Sequence, residues 1–271
     1  MNRCAVLQMA SSPTIDANLC EAARLIGEAA KAGAGLVALP ENFALMGEHE
    51  GSKVEVKEVD GAGPIQDFLA RSAKKYGIWV IGGTIPLAGD DDRKVRAACL
   101  VYNDQGERVG RYDKIHLFDV NVPGSDEAYK ESNSIEPGST PVVLDTPFGR
   151  LGLSVCYDLR FPELYRKLAA QGAEILVVPS AFTAKTGAAH WEILLRARAI
   201  ENLCYVLAPN QGGLHGNGRE TFGHSMIIDP WGVVLDVKKT GAGFAVAGID
   251  HEHLETVRAA FPALQHRRFS E

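Results

Sequence analysis

Residues 151–178, LGLSVCYDLRFPELYRKLAAQGAEILVV, decide the class of fold. The apolar run Leu151–Val155 predicts a buried strand, and the proline that opens Pro162–Ala170 favours a helix over that segment. A second apolar run, Ile175–Val178, predicts the next strand. A strand, a helix and a strand in this order are typical of an α/β fold.

The rest of the chain repeats this alternation of short apolar runs and longer amphipathic segments. Further strands are predicted at Ala5–Met9, Leu36–Leu39, Trp79–Thr84, Cys99–Asn103, Tyr205–Ala208, His224–Ile228, Val233–Val237 and Phe244–Ile249. Further helices are predicted at Asp16–Ala32, Pro64–Tyr76, Ala188–Asn202 and His251–Ala260. The helix over 188–202 is expected to bury an apolar face of Ile193, Leu194, Ala197 and Ile200.

No low-complexity linker, internal repeat or change in composition divides the chain, so we expect one domain over residues 1–271. The close spacing of the last three strands indicates hairpins within the same sheet system. Residues 119–140 form a long polar stretch rich in glycine, proline and serine. A loop of that length in a compact domain is usually functional.

Composition excludes several classes of protein. The chain is 46% hydrophobic and 23% charged with a net charge of −6, and no basic block suggests a nucleic-acid partner. The N-terminal residues do not resemble a signal peptide, and no apolar run is long enough to cross a bilayer. Five cysteines without CxxC spacing favour free thiols in a reducing compartment. We therefore expect a cytoplasmic protein with no nucleic-acid or membrane partner.

Cys156 has the most suggestive setting of the five cysteines. It follows a predicted strand and precedes the turn into a helix, where backbone N–H groups favour a thiolate. The alternative is an inert cysteine buried in the core. That packing role is expected of the other cysteines, Cys4, Cys20, Cys99 and Cys204.

A thiol nucleophile needs a base and a group that stabilises the oxyanion. Glu41, in LVALPENF, follows one predicted strand, and Lys114, in GRYDKIHLFD, follows another after a turn. Taken singly, either residue is an ordinary surface charge. Together with Cys156 they lie past the C-terminal ends of strands, which is the edge where open α/β sheets hold their sites.

LPENF around Glu41, YDKIHLFD around Lys114 and GLSVCYDLRFPEL around Cys156 resemble the three catalytic segments of the nitrilase, or carbon–nitrogen hydrolase, superfamily. The resemblance covers nearly the whole chain, including GAAHWEILLRARAIEN and GHSMIIDPWG. It implies an α/β fold built as a four-layer αββα sandwich and a Glu-Lys-Cys triad of these three residues. It also implies a second glutamate that positions the lysine and the substrate. Glu131 matches that position, and Glu127 is the alternative.

The triad implies hydrolysis of an amide through a thioester on Cys156. Lys114 and the backbone N–H of Tyr157 would hold the oxyanion. Glu41 would accept the thiol proton, pass it to departing ammonia and then activate water. We expect a raised pKa for Glu41, from partial burial and from the nearby Glu131. This chemistry requires no metal or organic cofactor, and no cysteine and histidine spacing fits a zinc site.

Arg160, four residues after the nucleophile, suits a substrate that carries a carboxylate. The alternative is an internal ion pair with Asp158 or Glu163. By resemblance, Arg160 matches the arginine that holds the carboxylate of α-keto acid amides. The chain most resembles the branch that hydrolyses deaminated glutathione to α-ketoglutarate and cysteinylglycine. The alternatives are an ω-amidase acting on α-ketoglutaramate, another amidase or nitrilase of the superfamily, and a scaffold without activity.

Other residues are assigned to the surroundings of the site. Phe182 and Thr183 are expected in the pocket wall, and the loop 211–221 at its mouth. His190 is expected to play a structural role at a helix start, and His116 to support the Lys114 loop by hydrogen bonds. By resemblance, the helices after Cys156 and after Ala188 form a two-fold interface, which predicts a homodimer.

Overall fold

The computed structural model describes residues 2–49, 51–122 and 128–269, which form two large β-sheets covered by helices. The strands are β1 (Asn2–Met9), β2 (Leu36–Ala38), β3 (Trp79–Ile81), β4 (Ile85–Ala88), β5 (Val95–Tyr102), β6 (Arg108–Asp113), β7 (Asp119–Asn121), β8 (Ala128–Lys130), β9 (Val142–Leu144), β10 (Leu151–Leu153), β11 (Ile175–Val177), β12 (Tyr205–Ala208), β13 (Asn210–Leu214), β14 (Glu220–Phe222), β15 (Ser225–Ile228), β16 (Val234–Lys238) and β17 (Gly243–Ile249). The helices are α1 (Ile15–Lys31), α2 (Ser52–Glu55), α3 (Pro64–Tyr76), α4 (Pro162–Ala170), α5 (Ala184–Asn202) and α6 (His251–Ala260). Short 3-10 helices cover Glu131–Asn133 and Cys156–Arg160.

The first sheet has nine strands in the order β14-β13-β1-β2-β3-β5-β4, with β17 paired to β1 and β6 paired to β5. The second sheet has six strands in the order β16-β15-β12-β11-β10-β9. Strands β7 and β8 form a separate antiparallel pair. The segment quoted at the outset supplies the parallel pair β10–β11, joined by α4.

The two sheets pack face to face, and side chains alternate between the two faces of each strand. On β1, Cys4 and Val6 belong to the core that also contains Leu153 of the second sheet. Ala5 and Leu7 belong to the core that contains residues of α1 and α3. Helices α4 and α5 pack on the second sheet. The predicted αββα sandwich is therefore confirmed.

The predicted elements match the structure closely, including short strands such as β2, β11 and β12, whereas several other short elements, among them α2, were not predicted. The helices over 64–76, 162–170 and 251–260 have the predicted bounds, and α5 begins four residues earlier than predicted. Strands β4, β6, β9, β13 and β14 were not predicted, and the stretch 119–140 contains β7 and β8.

The predicted apolar face of α5 is wrong. Ile193 and Ile200 are 70% and 46% exposed, whereas Trp191 and Leu195 on another face are fully buried. The buried face also includes Arg198, whose guanidinium donates two hydrogen bonds to the Leu159 carbonyl. A polar side chain with its hydrogen bonds satisfied can be buried, so hydrophobicity alone misidentified the inner face.

No helix in the described ranges is both long enough and apolar enough to span a bilayer.

Candidate active site

Both sheets contribute to a cavity of about 510 Å³, a size within the range of small-molecule sites, about 300–1,000 Å³. It is lined by all the residues singled out from the sequence as catalytic or substrate-binding: Glu41, Lys114, Glu131, Cys156, Tyr157, Arg160, Phe182 and Thr183. These residues come from segments that lie far apart between positions 41 and 183, and the fold brings them together. The cavity is therefore the candidate active site.

Cys156 lies at the start of the 3-10 helix that follows β10, with a left-handed backbone φ of 50°. A non-glycine residue in that region is strained and needs support from its surroundings. The support comes from both sides: the Cys156 N–H donates to the Pro179 carbonyl at 2.9 Å, and the Val155 N–H donates to the Asp158 carboxylate at 2.8 Å. This turn aims the sulfur into the cavity, where the side chain is 7% exposed.

Lys114 follows β6 directly and is 1% exposed. Its ammonium lies 2.8 Å from the Glu41 carboxylate and 2.7 Å from the Glu131 carboxylate. The Phe118 N–H donates to Glu131 at 2.8 Å, so both acids and the lysine are held in one arrangement. The alternative that Glu41 and Lys114 are ordinary surface charges is excluded by their burial.

Glu41 follows β2 and is 3% exposed. The next residue, Asn42, has φ 58°, a conformation that asparagine adopts more readily than most side chains. The Asn42 N–H donates to Thr84 Oγ1 at 2.9 Å, and the Gln211 side chain donates to the Glu41 carbonyl at 3.0 Å. These bonds fix the backbone of Glu41, and its carboxylate lines the same cavity as the Cys156 thiol, whose pKa it raises.

The pKa values of these groups indicate their resting charges. Burial raises the pKa of the Cys156 thiol, and Glu41 raises it further, so the sulfur rests protonated. Burial raises the pKa of Glu41, but the ammonium groups of Lys114 and Lys53 outweigh burial and hold it below its ordinary value of 4.5. Burial lowers the pKa of Lys114, but the two carboxylates raise it above its ordinary value. The expectation of a raised pKa for Glu41 is wrong, because it overlooked the contact with Lys114.

Glu131 occupies the 3-10 helix after β8, beside Lys114. Glu127, the alternative for the second glutamate, lies outside the described residues.

Arg160 ends the 3-10 helix that begins at Cys156, and its guanidinium lies over the rings of Tyr157 and Phe182 at 6.0 and 5.4 Å. Its Nη1 lies 3.2 Å from His190 Nδ1. Within the described ranges it forms no ion pair with Asp158 or Glu163. The alternative of an internal ion pair is therefore wrong, and the charge of Arg160 is available to a ligand in the cavity.

The structure also locates the remaining residues that were predicted around the pocket. Phe182 packs on the buried ring of Trp191, and Thr183 caps α5 by accepting a hydrogen bond from the Thr186 N–H. His190 lies two turns into α5 and not at its start. The loop 211–221 reaches the cavity through Asn217, Gly218 and Arg219.

A buried carboxylate, Asp158, joins the lysine and cysteine segments. It accepts hydrogen bonds from Tyr112 of β6 at 2.6 Å, from the Val155 N–H, and from the backbone and ring of His116. The predicted hydrogen-bonding support by His116 is confirmed. The role of Asp158 was missed, because the sequence does not show that the four donors converge on it.

Lys53 of α2 also lines the cavity and was not predicted, and Arg219 lies in the loop 211–221 that was expected at the mouth but was not singled out as a site residue. No motif marks either residue. Lys53 lies on the short helix α2, and Arg219 lies on the turn between β13 and β14. In the described part of the chain, no group of three or more metal-binding side chains could hold an ion.

The chain has extensive similarity to known proteins. The sequence profile of the carbon–nitrogen hydrolase family matches residues 3–259. The deaminated glutathione amidase of Synechocystis sp. is 48% identical, over 98% of this chain and 97% of the relative. The human deaminated glutathione amidase is 42% identical, over 97% of this chain and 81% of the relative. The crystal structure of the Caenorhabditis elegans NitFhit protein superposes with a TM-score of 0.91 at 37% identity, over 98% of this chain and 65% of that longer chain.

Proposed function

The chain belongs to the carbon–nitrogen hydrolase family and is an amidase, and from this premise we propose that it hydrolyses deaminated glutathione to α-ketoglutarate and cysteinylglycine. The observation that carries the proposal is Arg160, a cation without a carboxylate partner in the described structure, lining the same cavity as Cys156. It suits the carboxylate of an α-keto acid. An ω-amidase needs the same cation, and the names of the relatives, at 42–48% identity, favour deaminated glutathione.

In the proposed acylation step, the Cys156 sulfur attacks the amide carbon and transfers its proton to Glu41. Lys114 and the Tyr157 N–H stabilise the negative charge that develops on the carbonyl oxygen. The carbon–nitrogen bond then breaks, and Glu41 gives the proton to the departing amine. For this substrate, the departing amine is the amino group of cysteinylglycine and not ammonia.

In the proposed deacylation step, Glu41 takes a proton from water, and the hydroxide attacks the thioester carbon. The carbon–sulfur bond breaks, and the proton returns to the thiolate of Cys156. Glu131 holds Lys114 in place throughout by the 2.7 Å ion pair. No step requires a metal or an organic cofactor.

Two further proposals concern the chain as a whole. We propose that residues 1–271 act as one domain, a reading supported by the core that side chains of both sheets share. We also propose a cytoplasmic location, which is supported by the free thiol state of all five cysteines.

We propose that the protein is a homodimer, with an interface formed in part by an apolar patch of Ile193, Ile200, Trp231 and Phe261. These side chains are 46–70% exposed. Ile193 and Ile200 lie seven residues apart on one face of α5, and Ile200 packs beside Gly232. The Trp231 ring meets Phe261 at 5.9 Å, which makes the patch continuous. Exposed patches of this kind are typical of interaction sites.

The substrate proposal is tested by comparing kcat/KM for deaminated glutathione, α-ketoglutaramate and a simple aliphatic amide. α-Ketoglutarate release is followed for the first two substrates and ammonia release for the third. A strong preference for deaminated glutathione is expected. A preference for α-ketoglutaramate would identify an ω-amidase instead, and no activity on any of the three would remove the substrate assignment.

The nucleophile is tested with Cys156→Ser and Cys156→Ala, which should abolish turnover and preserve the circular dichroism spectrum. Iodoacetamide should inactivate the wild type, and substrate should protect it. Near-normal turnover by either variant would exclude Cys156 as the nucleophile.

A further inference from the structure

Two cations in the cavity wall have no part in the proposed chemistry. Lys53, on α2, is half-buried, and its ammonium forms no hydrogen bond or ion pair with the residues that the structure describes. Arg219, on the turn between β13 and β14, lies over the Tyr129 ring at 5.0 Å and donates a hydrogen bond to the Ala181 carbonyl. Its Nε is buried without a hydrogen-bond partner in the described structure.

Withdrawing these charges from water without a counter-ion is unfavourable. Burial lowers the pKa of Lys53, although the carboxylates of Glu131 and Glu41 act in the opposite direction. The positive charges of Lys114 and Arg219 lower it further, and Lys53 and Arg219 line the same cavity. An anion bound between them would relieve both the repulsion and the missing hydrogen bonds.

The position of Lys53 indicates which end of a substrate it meets. In the proposed mechanism Glu41 protonates the departing amine, so the leaving group passes close to that carboxylate. Lys53 lines the cavity together with Glu41 and Asn42, and its charge lowers the pKa of Glu41. Arg160, in contrast, projects from the segment that follows the nucleophile and contacts α5 through His190. With Arg160 assigned to the acyl end, Lys53 and Arg219 remain as the cations available to the leaving group.

We infer that Lys53 and Arg219 form a second carboxylate subsite, which binds the C-terminal carboxylate of a dipeptide leaving group. This inference rests on the proposed function, because deaminated glutathione carries a carboxylate at each end. α-Ketoglutaramate loses only ammonia and has nothing to place in the subsite. Lys53 and Arg219 are therefore specificity-determining residues that favour peptide-like leaving groups.

The experiment measures kcat/KM for α-ketoglutarate release from deaminated glutathione, from its C-terminal carboxamide and from α-ketoglutaramate. The variants are Lys53→Met and Arg219→Met. The matched control is Lys57→Met, which removes the same charge outside the cavity. Circular dichroism checks that each variant is folded.

The ratio of kcat/KM for deaminated glutathione to that for α-ketoglutaramate should fall about 10- to 100-fold in Lys53→Met and in Arg219→Met, the range of a charge-assisted hydrogen bond. The ratio should be unchanged in Lys57→Met. For the wild type, kcat/KM should already be lower with the carboxamide than with deaminated glutathione. Lys53→Met should lower kcat/KM for the carboxamide by less than about a further 2-fold, because the contact between Lys53 and the substrate carboxylate is already missing. Arg160→Met should slow both α-keto substrates alike.

An unchanged ratio in both variants, with a wild type that prefers deaminated glutathione, would overturn the subsite and leave the proposed function standing. If Lys53→Met lowered kcat/KM by the same factor for the carboxamide and for deaminated glutathione, the subsite would also be overturned. A wild type without preference for deaminated glutathione would overturn the proposed function and the subsite together.

Discussion

At the residue scale, the candidate site is a buried ammonium between two carboxylates, next to a neutral thiol. Lys114 lies 2.8 Å from Glu41 and 2.7 Å from Glu131, and its side chain is 1% exposed. Breaking a buried ion pair by removing one partner is strongly unfavourable, so each charge depends on the others. The same arrangement lowers the pKa of Glu41, which keeps its carboxylate ionised in the cavity that it shares with the Cys156 thiol.

Lys114→Arg should reduce kcat by about 100-fold or more, the usual effect of losing one oxyanion donor. A planar guanidinium is bulkier than an ammonium and cannot keep both carboxylate contacts while it faces the substrate oxygen. The measurement is kcat under saturating substrate, with Lys75→Arg on the exposed side of α3 as the control. Activity within a few-fold of the wild type would show that Lys114 supplies only charge.

At the element scale, Asp158 ties β6 to the turn that carries Cys156. Its carboxylate is fully buried and accepts four hydrogen bonds, including one from Tyr112 and one from the Val155 N–H. These hydrogen bonds connect the strand that precedes Lys114 to the strained backbone of Cys156. The relative placement of these two elements therefore depends on a side chain that does not line the cavity.

Asp158→Asn should lower the free energy of unfolding by about 1–3 kcal/mol, because the amide nitrogen would face groups that donate hydrogen bonds. It should lower kcat and change KM little, since the nucleophile would be displaced while Arg160 remains to bind the substrate. Tyr112→Phe removes one donor and should cause a smaller change in both quantities. Urea unfolding and steady-state kinetics test both variants. A wild-type kcat in folded Asp158→Asn would argue against a positioning role.

The turn between β13 and β14 is anchored by His215, which is 4% exposed. Its Nδ1 lies 2.9 Å from the Ser11 carbonyl oxygen, and its Nε2 lies 2.8 Å from Thr221 Oγ1. Burial lowers the pKa of His215 below its ordinary value of 6.5. This element carries Arg219 into the cavity, so its stability affects the proposed second subsite.

The sign of the pKa shift predicts that acidification destabilises the protein through His215. Below about pH 6.5 the unfolded chain binds a proton at this site that the folded chain does not, so the free energy of unfolding falls with pH. The slope from one such group is at most about 1.4 kcal/mol per pH unit. Urea unfolding of the wild type and of His215→Gln between pH 7.5 and 5.5 measures how the free energy of unfolding changes with pH. The variant should show a shallower slope, and His266→Gln, at an exposed position, should match the wild type.

At the scale of the whole molecule, the sandwich buries its cores but leaves an apolar patch on the outside. The patch of Ile193, Ile200, Trp231 and Phe261 lies across α5, the turn before β16 and the end of α6. The same helix begins beside the cavity wall at Thr183. An interface on this helix would therefore be linked to the active site through one rigid element.

Ile193→Glu should convert the proposed dimer to monomers, because a carboxylate in an apolar interface is strongly unfavourable. Multi-angle light scattering should give about twice the chain mass of 29.2 kDa for the wild type and the chain mass for the variant. Val59→Glu, at another exposed apolar position, is the control and should remain dimeric. A monomeric wild type would show the homodimer proposal to be wrong.

Local sequence determined the elements and motifs whose signals lie within a few residues of one another. Pro64 and Pro162 mark helix starts, and continuous apolar runs mark the central strands of both sheets. The segments around Glu41, Lys114 and Cys156 indicated the family, and with it the αββα layers, by their sequence alone.

Only the tertiary structure decided which charges meet. The low pKa of Glu41, the convergence of donors on Asp158 and the exposed face of α5 arise from contacts between distant segments. The same holds for Lys53 and Arg219, which no local pattern distinguishes from ordinary surface cations. Electrostatic interaction and burial depend on distance in space, whereas sequence patterns report periodicity along the chain. The convergence of Glu41, Lys114 and Cys156 on one cavity was therefore predictable, and the second cationic pair was not.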